Sequence, residues 1–213
     1  MLDEINRDRL IIEKVMKGIN QKSIYAIMNV LFFAIVFNSC SDKAYTPKPR
    51  GFQRLEFPAK VYERYWIKDC HYEFDLPVYA QVEQDPNFKS HECWYNIQFP
   101  QFNATLHLSY LKVENRESLF KMINDSREMV FKHVVKADEI IENYISSPDK
   151  HGIFYNLQGN TATNTQFFVT DSTHHFLRGS LYFNAHTNID SLAPALSFID
   201  EDVHQLIKGL VWK

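Results

Sequence analysis

This chain is poor in glycine, with six residues in 213, and poorer still in cysteine, with three. Six scattered glycines supply no Gly-rich loop of the kind that cradles phosphates on backbone N–H groups. No Cys-x-x-Cys, no His-Glu-x-x-His and no Gly-x-Ser-x-Gly occurs, so the local signatures of a zinc site, a zincin or a hydrolase elbow are missing. Positive charge is not in excess either: 23 Lys and Arg against 26 Asp and Glu give a net charge of −3. A nucleic-acid partner, which wants a basic face, is therefore not implied. Also missing is a long apolar run. The greasiest stretch, 24–37, holds 14 residues and includes Asn29, short of the roughly 20 that a helix needs to cross hydrocarbon.

What that short run does resemble is the core of a signal peptide. It leads into Phe37-Asn38-Ser39-Cys40-Ser41-Asp42, a bacterial lipoprotein cleavage pattern with Phe37 and Asn38 where Leu and a smaller residue are usual. The expectation is that residues 1–39 are removed and that Cys40 becomes an N-terminus carrying palmitate-type acyl chains. One chain alone binds membranes marginally, whereas several hold firmly. The plain alternative is an uncleaved N-terminal anchor with an incidental cysteine. Residues 1–15 carry four acids, unlike the short basic start of an export signal. Met16-Lys17-Gly18-Ile19-Asn20-Gln21-Lys22 fits better, so 1–15 is expected to be an extension upstream of the true initiator.

Removal of residues 1–39 from 213 leaves 174, with 18 basic against 22 acidic side chains, a charge of −4. That length supports one sizeable core, and aromatics at 15% supply it. With Cys40 acylated, Cys70 and Cys93 remain, an even pair in an exported domain, which suggests a disulfide. Closing the loop between them is worth about 3 kcal/mol on chain entropy. The alternative is two buried free thiols.

Residues 40–58 are expected to form a stiff tether. Tyr45-Thr46-Pro47-Lys48-Pro49-Arg50-Gly51 sets two prolines around a lysine, which favours extended backbone. The globular domain is expected to span 59–213. Strand-like pieces occupy 61–67, 71–74, 78–83, 92–99 and 103–110. In the last of these Ala104, Leu106, Leu108 and Tyr110 alternate with Thr105, His107 and Ser109. An amphipathic helix of about 20 residues follows, carrying Leu119, Met122, Ile123, Ser126, Val130, Val134 and Ala137, with Asn115 or Ser118 as its cap. Three strands at 152–158, 164–170 and 175–183 come next, then a helix over 192–208 capped by Asp190 or Ser191 and ended by Gly209. The pattern predicts an α+β domain, a mostly antiparallel sheet with two main helices packed on it. The layout is similar to PsbP/Mog1-like sandwiches, in which a Tyr-x-Phe-x-x-Pro strand, here Tyr72 to Pro77, opens the sheet.

Chemistry is hard to find. His174 and His175 are neighbours and point apart on a strand. His107 and His133 suit ordinary surface or rim positions, so no metal and no cofactor is implied. Asp171-Ser172-Thr173-His174 holds the residue types of a hydrolytic triad, but adjacency in one turn is the wrong geometry for a relay. Asp200-Glu201-Asp202 splay around a helix rather than facing each other across a substrate, and favourable interaction with the helix dipole accounts for them. Trp94, Phe154, Phe168 and Tyr182 invite a small-ligand or lipid pocket, with core packing as the alternative.

Several stretches carry a resemblance: Tyr45 to Gly51 directly after the lipid cysteine, Cys70-x-Tyr72-x-Phe74, Cys93-Trp94-x-Asn96-Ile97-x-Phe99-Pro100, Lys132-His133-x-Val135-Lys136-Ala137-Asp138, the long run from Gln166 through Arg178-Gly179-Ser180 to Phe183, and Asp190-Ser191-Leu192-Ala193-Pro194. Over 40–213 the chain resembles the gliding motility lipoproteins of the GldD family. That resemblance implies a membrane-anchored accessory protein, facing the periplasm from the inner or outer membrane. It implies partners among the gliding and type IX secretion proteins that export surface adhesins, and no catalytic residue. Contact residues are then expected in the tether (Tyr45, Pro47, Lys48, Pro49, Arg50) or around the turn bounded by Asp171 and Arg178.

Overall fold

In a computed structural model of the protein, the described residues are 13–14, 21–37, 55–84, 93–184 and 189–213. The chain divides into two compact units, Met1–Gly51 and Phe52–Lys213. In the first, helix α1 (Gln21–Phe37) contains the apolar run. Among the described residues no helix is long and apolar enough to cross a membrane.

The second unit is built on a seven-stranded sheet. Its strands are β3 (Gln81–Gln84), β4 (Tyr95–Phe99), β5 (Ala104–Lys112), β6 (Glu139–Ser147), β7 (Lys150–Gln158), β8 (Thr163–Thr170) and β9 (His175–Phe183), in the order β3-β4-β5-β9-β8-β7-β6. Every pairing is antiparallel. A smaller sheet joins β1 (Tyr62–Trp66), β2 (Tyr72–Pro77) and β10 (Val211–Trp212), with β2 in the middle. Helices α2 (Arg116–Phe131) and α3 (Ile189–Gly209) complete an α+β domain.

Strand alternation sorts the core into two layers. Phe154 and Phe167 join α3, whose Ala195, Ile199, Val203, Leu206 and Ile207 are buried among the residues of β2, β4 and β5. Their neighbours Tyr155 and Phe168 turn to the other face, where Leu119 and Val130 of α2 cover them. With both faces covered, β8 is buried at all eight positions. Its polar side chains are satisfied internally: Asn164 Nδ2 donates to the carbonyls of Leu157 (2.7 Å) and Gly159 (3.0 Å). Opposite Phe167 in the ladder lies Gly179, where the Phe167 ring occupies the space that a Cβ would need.

Five expectations change. Helix α2 stops at Phe131 rather than near 137, and 132–137 fold into successive turns. Asn115 and Ser118 are not alternatives as its cap; they form one reciprocal capping box. Strand β6 was not foreseen, so four strands rather than three lie between α2 and α3. As an edge strand it is half-exposed along its whole length, which blurs the period-2 pattern. Helix α3 begins at Ile189, which places Asp190 and Ser191 inside it rather than at a cap. The Tyr72–Pro77 strand is central to the small sheet and does not open the large one.

Antiparallel pairing gives the large sheet two ends. At the near end lie the starts of β5, β6 and β8 and the finish of β9, since Ala104 pairs with Phe183 and Glu139 with Gln158. The chain also enters here: Phe57 stacks 5.9 Å from Phe102 and 4.9 Å from Phe198, and Gln101 holds the Glu56 carbonyl. At the far end Lys112 pairs with His175 and Ser147 with Lys150.

Candidate functional site

The far end gathers aromatic and imidazole rings from four elements. Tyr110, near the end of β5, bonds through its hydroxyl to His175 Nδ1 at 2.8 Å. His175 stacks on Trp212 of β10, with centroids 5.2 Å apart and rings 7° from parallel. His71, just before β2, lies 5.4 Å from Tyr110. Trp212 Nε1 donates to the Asp149 carbonyl at 3.1 Å, and Trp94 Nε1 to that of Tyr110 at 2.8 Å. At the rim Trp66 is 60% exposed, with Lys213 Nζ 5.5 Å from its ring. Burial lowers the His175 pKa, opposed by Asp171 and reinforced by His71, His174 and Lys112.

Cys70 and Cys93 border this end. Their Sγ atoms are bonded, with Cα atoms 5.5 Å apart, and Tyr72 donates its hydroxyl to the Cys93 carbonyl at 3.1 Å. The β8–β9 turn closes it. Asp171 Oδ1 accepts from the backbone N–H groups of Thr173 (3.0 Å), His174 (2.8 Å) and His175 (2.8 Å), and Oδ2 accepts from the Thr173 hydroxyl at 2.7 Å. Burial alone would raise the Asp171 carboxyl, but these donors outweigh it and hold the group far below the usual range. Ser172 takes the left-handed conformation with φ 69°. Asp171 is therefore an acceptor committed to its turn, not a base held for a nucleophile.

A second polar cluster is hidden under α3. Asp202 is 2% exposed. Its Oδ1 accepts from Lys60 Nζ at 2.6 Å and Tyr62 at 2.8 Å, and its Oδ2 from Tyr79 at 2.5 Å. Lys60 also donates to the Phe198 carbonyl at 2.5 Å and lies 3.4 Å from the Phe198 ring centroid. Burial first, then the hydrogen bond to Asp202 and its charge, raises both tyrosine pKa values well above their usual range. Asp200 points elsewhere, accepting from Thr165 Oγ1 at 2.5 Å and Asn156 Nδ2 at 3.3 Å. Burial, partly offset by the Thr165 bond, raises its pKa to about 6. The helix-dipole reading of these acids is thus replaced: Asp202 anchors a network and Asp200 sits in a partly dry interior.

Against this geometry stands one match. The family model for gliding motility lipoprotein GldD covers residues 42–212. The chain belongs to the GldD family. No curated protein matches it.

Of the residues singled out beforehand in this GldD-family chain, Cys40, Tyr45, Pro47, Lys48, Pro49 and Arg50 lie outside the described residues. Asp171 and Arg178 do not meet. Asp171 caps the far-end turn, while Arg178 is inside β9 and contacts Met129 Sδ of α2. The four aromatics proposed for a pocket are likewise dispersed. Phe154 and Phe168 fall in opposite core layers, Trp94 bonds to Tyr110, and Tyr182 packs edge-on against His107 at 5.5 Å. A groove of about 620 Å³ lies elsewhere, lined by Asn143, Asn156, Asn164, Ile141, Leu157 and Leu196. Among the described residues no three His, Cys, Asp or Glu side chains converge as for a metal.

Sequence reasoning missed the Asp202 network because Lys60, Tyr62 and Tyr79 lie more than a hundred residues from it. One signal was available. Ile199, Asp202, Val203 and Leu206 follow the i, i+3, i+4, i+7 spacing of a buried stripe, so the acid belongs to the apolar face and needs partners there.

Proposed function

We propose that this GldD-family protein is an accessory lipoprotein of the gliding machinery and of the type IX secretion of surface adhesins linked to it. In this reading it works through protein contacts rather than chemistry. Acylated Cys40 fixes it to the inner or outer membrane with the domain facing the periplasm. The contact surface is the far end. The observation behind that choice is the exposed Trp66, with Lys213 beside its ring, at the end of the domain where His175 stacks on Trp212 and bonds to Tyr110. Rigid aromatic side chains with polar edges are the usual anchors of protein interfaces. The tether residues Tyr45, Pro47, Lys48, Pro49 and Arg50 are proposed to assist.

Two measurements test this. Replacing Cys40 by Ser should move the protein from the membrane to the soluble fraction. A photo-crosslinker at Trp66 in living cells should capture a gliding or secretion component, and Trp66→Ala should reduce colony spreading and adhesin export while protein abundance holds. Full spreading with Trp66→Ala, and no crosslink, rejects the far end as the contact surface.

A second reading rests on the amide-lined groove, whose Asn143, Asn156 and Asn164 beside Ile141, Leu157 and Leu196 suit a small polar–apolar ligand of the envelope. Co-purification of such a molecule, lost in Asn156→Leu, would favour it.

A further inference from the structure

Just beyond α2, residues 132–137 form a compact knob. Its backbone is closed on itself: Val134 N–H donates to the Phe131 carbonyl (3.2 Å), and those of Lys136 and Ala137 both donate to that of His133 (2.9 Å). Asp138 N–H then pins it to the Gln158 carbonyl at 2.9 Å, at the near end of the sheet. The knob presents apolar side chains outward: Val135 is 89% and Val134 58% exposed, and Phe131 beside them is partly exposed. Lys132 and Lys136 flank the valines and are exposed. Lys132 also reaches Glu128 at 3.5 Å, and Asp138 and Glu139 follow where the knob joins the sheet.

The same end of the sheet receives the chain from its N-terminal side, through Glu56 and the partly exposed Phe57. Phe57 and the two valines thus lie at the same end of the sheet. A compact turn, two valines at the tip and two lysines around them suit one occupant. The valines enter the headgroup boundary, and the lysine stems follow while their ammonium groups meet anionic lipid phosphates.

We propose that the near end rests on the bilayer holding the Cys40 acyl chains, with Val134 and Val135 seated among anionic headgroups. The inference rests on the reading of Cys40 as the lipid-bearing residue. The far end, with its aromatic rim, then faces away from that membrane.

The test uses the full lipidated chain, purified from membranes and reconstituted in phosphatidylethanolamine–phosphatidylglycerol vesicles. With Cys40 acylated and Cys70 bonded to Cys93, Val135→Cys offers one free thiol for an environment-sensitive NBD label; Trp66→Cys offers the far-end reference. The label at 135 should rise severalfold in intensity, shift to the blue and be quenched by spin-labelled lipid, while that at 66 reads water. Protein that floats with the vesicles but reads water at 135 overturns this inference alone. So does a label at 135 that is shielded equally without lipid, which would indicate contact with protein. Protein that does not float overturns the anchor and the inference together.

Discussion

Removing the Asp202 carboxylate isolates the effect of a buried acceptor. In Asp202→Ala, Lys60 loses its partner at 2.6 Å and two tyrosine hydroxyls lose theirs at 2.8 and 2.5 Å. Breaking a buried pair from one side costs about 3–5 kcal/mol, because the remaining charge stays poorly solvated. Lys60 keeps the Phe198 carbonyl and ring, and its side chain is 23% exposed, so the lower bound of about 3 kcal/mol applies. Replacing both partners, as Lys60→Met with Asp202→Leu, removes the stranded charge and should cost about 1 kcal/mol or less. The assay is urea unfolding of the Cys40→Ser chain, followed by tryptophan fluorescence. With a slope near 2 kcal/mol per molar, the single variant should lower the midpoint by about 1.5 M while the double variant stays close to the parent. A second readout is alkaline. Tyr62 and Tyr79 have raised folded pKa values, so their stabilising contribution is full below the ordinary tyrosine value of about 10 and is lost as pH rises above it. Without the Asp202 charge that loss should be shallower. A single variant that costs under about 1 kcal/mol, or a double variant as damaged as the single one, would refute the reasoning.

Three further outcomes are expected. Asp200 has its folded pKa raised to about 6 by burial, so the stability it lends is complete below about 4 and lost as pH rises through 6; Asp200→Asn should stabilise the chain at pH 8 by about 1–2 kcal/mol and leave it unchanged at pH 4, read from urea midpoints. The Tyr155 hydroxyl is buried with no hydrogen-bond partner among the described residues, so Tyr155→Phe should leave the melting temperature unchanged or higher, and a fall of several degrees would contradict that assignment. Replacing Cys70 and Cys93 together by Ser should cost about 2–5 kcal/mol, seen as an earlier urea transition, because the loop between them is released in the unfolded chain.

The legible parts of the molecule were those in which a local period survives. Leu106 and Leu108 kept theirs because β5 lies between two neighbours with one face on the core, and α3 kept its stripe along Ile199, Val203 and Leu206. Strand β6 was illegible because an edge strand exposes both faces. Helix α2 was drawn too long because Val134 and Ala137 continue its spacing, although they belong to a knob whose valines face outward. Of the candidate contact residues, Asp171 lies in the β8–β9 turn, whereas Arg178, seven positions on, is inside β9 and contacts Met129 of α2.

By itself the sequence determined the class of the protein. The short apolar run before Cys40, the even cysteine pair and the long idiosyncratic motifs are local or covalent facts, and no folding is needed to read them. Only the tertiary structure decided which polar groups share an environment. Lys60, Tyr62 and Tyr79 converge on Asp202 because β1, the segment after β2 and α3 pack against one another. It also decided that the chain enters at the end carrying Val134 and Val135, opposite the end where Tyr110, His175 and Trp212 stack. Both follow from antiparallel register, which brings distant residues to one end of a sheet and cannot be read from any window of the chain.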